Sequence, residues 1–143
     1  MMNALALTLV LHTSLLASAP SYADALQDAK TNNRPLVVLV GADWCPGCIS
    51  MKHSTIPTLQ RNGKLHDVAF TMVNTDSEPE LARKLMRGGS IPQLIVFSNT
   101  AQGWKRLQLT GAQSTSSVES LIEQARQMQT SEVHPVSTLI GAE

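Results

Sequence analysis

Leu36 to Val40 are five consecutive large aliphatic residues, rich in Val and bounded by Pro35 and Gly41. A run so short, closed at both ends by residues that interrupt regular structure, reads as a central strand buried on both faces. Just beyond it stand Cys45 and Cys48, and the chain has 2 Cys in all. Two cysteines cannot build a disulfide scaffold or a four-thiolate zinc site, so they act as one pair or as two free thiols.

The rest of the composition narrows the class. With 143 residues, 43% hydrophobic and 15% charged, the chain suits one small globular domain. Lys and Arg balance Asp and Glu to a formal net charge of zero, and the basic residues form no run longer than Lys105-Arg106. Such a surface has no field to hold a phosphate backbone, so no nucleic-acid partner is expected.

Every Asp, Glu, Lys and Arg lies at or after Asp24, and residues 4–16 form an apolar stretch. A membrane-spanning helix needs about 20 apolar residues, and this stretch is shorter and ends in small residues, as a secretory leader does. Ser21-Tyr22-Ala23 fits the small-x-small rule, whereas Ala17-Ser18-Ala19 would put Pro20 directly after the cut. The expectation is a signal peptide over 1–23 cleaved after Ala23, although its first residues lack the usual positive charge. A domain over 24–129 and a loose tail over 130–143 follow, in an oxidising compartment and most simply the bacterial periplasm.

Within the domain, a short helix over Asp24 to Lys30 precedes the first strand, and helical spacing continues from Cys45 to about Leu65. Pro57 must disturb that helix, with a kink expected around 53–57. Residues 68–73 read as a second strand, and Ser77-Glu78-Pro79-Glu80 as a capping box opening a helix that Gly88-Gly89 closes. Gln93 to Phe97 and Lys105 to Thr110 read as a hairpin joined by a turn-rich stretch from Ser98 to Gly103. Ser116 with Glu119 repeats the capping box ahead of an amphipathic helix carrying Val118, Leu121, Ile122 and Ala125 and running to about Met128. The order strand, helix, strand, helix, strand, strand, helix is mixed α/β.

Trp44-Cys45-Pro46-Gly47-Cys48 falls where the buried strand ends and a helix begins. The first cysteine there meets unpaired backbone N–H groups and the positive end of the helix dipole, both of which favour thiolate, the nucleophilic form. The second, three residues on, is placed to attack a mixed disulfide and release the partner.

This element, together with Ile91-Pro92 ahead of the QLIVF strand, resembles the thioredoxin family, and the element order over 36–128 resembles its catalytic core. The resemblance implies a thioredoxin fold, a central mixed sheet flanked by helices. It implies Cys45 as exposed nucleophile and Cys48 as buried resolving thiol, with no bound cofactor. It also implies that Pro92 is the cis-proline beside which Ile91 pairs with a substrate peptide, that Gly111 gives a partner room to approach, and that Trp44 covers the dithiol and contacts substrate. The chain departs from the pattern at Pro46 and Gly47, which tune the redox potential. Further departures are Leu39 and Met72, where the family carries a buried acid and its lysine partner, and Gln93, where Thr is usual. Without the acid, water or Asp43 must accept the Cys48 proton.

Bland readings stand beside this one. The cysteines would close too small a loop for a disulfide between them to matter much to stability. A zinc site of Cys45, Cys48, His53 and His66 is poorly spaced, so no metal is expected. The reading that follows is an exported thiol-disulfide oxidoreductase, a reductant more than an oxidant, exchanging with protein thiols and disulfides and fed by a membrane thiol relay. The alternative is a thioredoxin-fold protein-binding or redox-sensing module whose dithiol does not turn over.

Overall fold

The computed structural model describes residues 19–130; most of the signal peptide expected over 1–23 and the tail expected over 130–143 lie outside them. Helix α1 (Tyr22–Thr31) leads into strand β1 (Leu36–Gly41), then α2 (Pro46–Ser50), a π-helical segment (Met51–Thr55) and α3 (Ile56–Arg61). Strand β2 (Ala69–Asn74), α4 (Pro79–Leu85), β3 (Gln93–Thr100), β4 (Gly103–Thr110) and α5 (Thr115–Thr130) follow. The sheet runs β2-β1-β3-β4, with β1 parallel to β2 and the other neighbours antiparallel. It is therefore mixed, as expected, and β1 is interior.

The aliphatic run buries both of its faces because alternate side chains point to opposite sides of a strand. Val37 and Leu39 join Leu94 and Val96 under α3, α5 and the π-helical segment, while Leu36, Val38 and Val40 join Ile95 and Val73 under α1 and α4. Full burial of each such side chain stabilises the fold by about 1.5–3 kcal/mol, which is why a sheet so poor in aromatic residues still holds two layers.

Where a kink or break is expected around 53–57, the helix is instead widened at Met51–Thr55 and unbroken. The missing N–H and the ring of Pro57 cannot be fitted into a regular α-helix. Here the chain widens through Met51–Thr55 into a π turn and resumes as α3 with Pro57 in its first turn. One continuous helical rod thus runs from Pro46 to Arg61.

Two expected caps are corrected. Ser77 does not cap α4: the N-cap is Glu78, with no side-chain bond, and the Ser77 N–H instead donates to Asn74 Oδ1 at 3.4 Å. At α5 the capping oxygen belongs to Ser114, which accepts from Ser117 N at 3.1 Å, so Ser116 is already inside the helix. The hairpin is also longer than expected, β3 reaching Thr100 and β4 starting at Gly103.

The N-terminal segment is integrated into the fold before Asp24. Ser21 caps α1 by accepting from Asp24 N at 3.2 Å, and the buried Thr71 hydroxyl on β2 donates to Pro20 O at 2.7 Å. The cut expected after Ala23 falls within the first turn of α1.

Candidate active site

Strand β1 delivers the chain to the dithiol, and its last residue shapes the space beside it. Gly41 faces Cys48 so closely that a β-carbon there would lie 2.8 Å from Cys48 Sγ. No side chain fits at that approach, and this requirement was not legible in the sequence.

Cys45 is the N-cap of α2, in extended backbone, and Cys48 sits one turn inside. The two are joined as a disulfide with their Cα atoms 5.2 Å apart. Cys45 Sγ accepts a hydrogen bond from Cys48 N at 3.2 Å. That N–H is one of the unpaired donors at the helix start, aimed at the atom that carries negative charge in the reduced form. Pro46 occupies N1, where a backbone N–H would have had no helical partner, so its lack of a donor takes nothing from the thiolate. Gly47 does more than loosen the turn: a β-carbon on it would meet Pro92 Cδ at 3.2 Å and Ala112 Cβ at 3.4 Å. The helix start is thereby packed against the Pro92 segment.

Exposure does not distinguish the two cysteines as expected. In the disulfide Cys45 is 6% and Cys48 5% exposed, so both are buried. Their surroundings differ instead. Cys45 Sγ lies 3.9 Å from Ile91 O, and the Ile91–Pro92 peptide is cis, as expected. Half-buried Ile91 leaves an accessible edge next to that sulfur. Gly111 adjoins the same edge, donating its N–H to Pro92 O at 2.8 Å with φ +88, a conformation that favours glycine. Open space lies where its side chain would be.

Trp44 stands out of the surface, 68% exposed, and is tethered at one point, its Nε1 donating to Asp76 Oδ2 at 3.0 Å. Asn74 organises the loop that presents Asp76. Its Oδ1 accepts from Asp76 N at 2.8 Å, and its Nδ2 donates to Asp43 Oδ2 at 3.2 Å, while Lys52 Nζ pairs with Asp43 Oδ1 at 3.3 Å. Asp76 and Asn74 are site residues that sequence reasoning missed.

Cys48 lies against a cleft of about 320 Å³ on the side away from Ile91. Leu39 and Met72, neighbours in the parallel register, help line it, with exposed Asp43, Lys52, His53 and Glu78 also on its walls. The two positions that depart from the family's acid and lysine are thus apolar and adjacent, and ionisable groups stand where the cleft meets solvent. His66 does not line this cleft; its Nδ1 bonds Gly63 O beyond the end of α3. Among the described residues there is no cluster of three His, Cys, Asp or Glu able to hold a metal ion.

The family profile for the thioredoxin-like domain matches residues 22–126. A comparison with curated protein sequences finds no match. Among solved structures, a thioredoxin from Thermus thermophilus superposes with a TM-score of 0.64 at 19% identity, over 84% of this chain and 95% of that one. A Trichomonas vaginalis thioredoxin gives 0.58 at 25% identity, over 75% and 93%. Chloroplastic thioredoxin z gives 0.57 at 18% identity, over 72% and 88%. The family match, the shared fold and a Cys-x-x-Cys pair within disulfide distance at a helix N-terminus make this chain a member of the thioredoxin-like family and a thiol-disulfide oxidoreductase.

Proposed function

We propose that this protein is exported and acts as a reductant of protein disulfides, with Cys45 as the attacking thiolate and Cys48 as the resolving thiol. The observation that carries the assignment of roles is the hydrogen bond from Cys48 N to Cys45 Sγ, which favours charge on Cys45 and on the sulfur beside the Ile91 edge.

Reduction then runs in two exchanges. Cys45 thiolate attacks one sulfur of the substrate disulfide, forming a mixed disulfide and expelling the other sulfur as thiolate. Cys48 loses its proton to water in the side cleft, and its thiolate attacks Cys45 Sγ. The Cys45–Cys48 disulfide forms, and the substrate leaves with both electrons. A substrate strand laid along Ile91, with Trp44 and Gly111 flanking it, brings its disulfide in line with Cys45. A dithiol donor, in this reading a membrane thiol relay, restores the reduced pair.

The reductant direction is supported by Ile91 before the cis-proline and by the thioredoxins among the similar structures. The uncharged apolar leader supports export to the periplasm. The deciding experiment is the equilibrium potential of the dithiol in glutathione buffers, read by alkylation of Cys45 and Cys48. A value near about −270 mV is expected, and one near about −120 mV would reverse the direction to oxidation. Cys48→Ser should accumulate mixed disulfides with protein clients and Cys45→Ser should not. A chain whose client binding survives Cys45→Ser unchanged is a binding module instead.

A further inference from the structure

Gln93 begins β3 immediately after the cis peptide and is fully buried. A buried carboxamide is stable only if its two N–H donors and its oxygen find partners. All of them do, and all in one place. Gln93 Oε1 accepts from Arg87 N at 3.1 Å, and Gln93 Nε2 donates to Arg87 O at 3.0 Å and to Ser90 O at 2.9 Å.

Those partners are the backbone of residues 87–90, an exposed stretch without helix or strand that links α4 to Ile91. Gly88 lies in the left-handed region at φ +77, so the segment has a tight bend and few bonds of its own to keep it. Its near end is held from the other side of the hairpin, where Arg106 Nη1 donates to Leu85 O at 2.6 Å. Gln93 holds the segment's first and last residues, Arg87 and Ser90. The next residue is Ile91, whose carbonyl stands 3.9 Å from Cys45 Sγ.

We propose that Gln93 is a positioning residue for the exchange reaction: by clamping residues 87–90 it fixes the Ile91 backbone beside Cys45, and so sets the preference of this protein for disulfides carried on extended peptide over small free disulfides. The inference rests on the docking of substrate along Ile91 proposed above. A small disulfide needs only the sulfur, whereas a peptide must match a backbone edge, so loosening that edge penalises the peptide alone.

The test compares reduction of insulin with reduction of 5,5′-dithiobis(2-nitrobenzoate) by the full chain and by Gln93→Met, which keeps length and volume and removes every hydrogen bond. Losing a buried network of this kind should lower kcat/KM for insulin by about tenfold, through KM, and leave the small disulfide within about twofold. Should Gln93→Met fail to fold, Gln93→Asn keeps a neutral carboxamide one methylene too short for these partners and is expected to show the same selective loss. Equal losses on both substrates would mean that Gln93 serves only the fold, and no loss on either would mean that the clamp is idle. Both results overturn the inference. If the rate advantage of the unaltered protein over free dithiothreitol is no greater for insulin than for the small disulfide, the docking along Ile91 itself fails, and that failure is visible before any variant is made.

Discussion

Gly41 stands so close to Cys48 that a β-carbon on it would lie 2.8 Å from Sγ. The sulfur of the disulfide cannot swing aside, whereas that of a free thiol can turn about χ1; the contact with Cys48 Cβ, 3.0 Å from the same point, remains in both forms. Gly41→Ala should therefore destabilise the oxidised protein by about 1–3 kcal/mol, the usual range for overpacking, and the reduced protein by less. Thermal unfolding of the two redox forms measures the difference, and an equal fall in both would show that Cys48 Cβ, not the sulfur, meets the new methyl.

The bond from Trp44 Nε1 to Asp76 Oδ2 holds an otherwise projecting ring at the lip of the site. Because the pair is exposed, Asp76→Ala should cost the fold well under about 1 kcal/mol. Its effect should be on the ring itself. In a Trp104→Phe background, where Trp44 is the sole indole, fluorescence anisotropy should fall and acrylamide quenching should rise, with a higher KM for protein disulfides. Unchanged anisotropy would mean that packing alone orders the ring.

Acid should act on the fold through Asp67. Burial is the largest single influence on its carboxyl and raises it, but the hydrogen bond and charge of Arg126, a backbone N–H and the neighbouring His66 together outweigh burial, and the group sits below its ordinary value. A carboxyl depressed in the folded state stabilises above its unfolded value and loses that contribution as pH falls through the folded one. Asp67→Asn should therefore lower the melting temperature near neutral pH, and the gap from the unaltered protein should narrow as pH falls below the ordinary Asp value of about 3.9 and through the lower folded one. A gap that is the same at every pH would assign Asp67 a packing role only.

The N-terminal boundary has a thermodynamic signature. A chain beginning at Asp24 lacks the Ser21 cap, worth about 0.5–2 kcal/mol, and strands the Thr71 hydroxyl, whose loss of a partner costs about 1–3 kcal/mol. A chain beginning at Pro20 keeps both. The Asp24 chain should unfold at distinctly lower denaturant concentration, and mass spectrometry of the protein recovered from cells would report where it begins. Equal midpoints would show that residues 20–23 are dispensable to the fold.

Much of the site was legible because its signals are local. A valine-rich run between Pro35 and Gly41, two cysteines one turn apart and a proline inside a helical pattern each act on their own neighbours, and β1, the dithiol and the widened turn at Met51–Thr55 appear where those signals put them. The capping errors are local too, but degenerate: Ser114, Thr115, Ser116 and Ser117 offer four hydroxyls within one turn, and backbone geometry chooses among them. Ser77 was misread because Asn74, three residues earlier, captures its N–H first. What sequence could not supply was contact between distant segments. Trp44 and Asp76 are 32 residues apart, and the value of a buried glutamine at position 93 emerges only once residues 87–90 have folded over it. Gly41 carries no local signal either, since a glycine at a strand end is ordinary until a sulfur is found against it.

Leu39 and Met72 leave the interior electrically inert: among the described residues, no Asp, Glu, Lys, Arg or His side chain is buried. A charge on Cys45 is answered by the Cys48 N–H at 3.2 Å, and any answer from an ionised side chain comes from groups in contact with bulk solvent and its counter-ions. Leu39, Met72 and Val73 carry the packing of the two layers up to the cleft beside Cys48, so apolar exchanges at those positions reach the sulfur chemistry. Dissolved salt, which scarcely reaches an acid sealed in a core, becomes a means of control over this one.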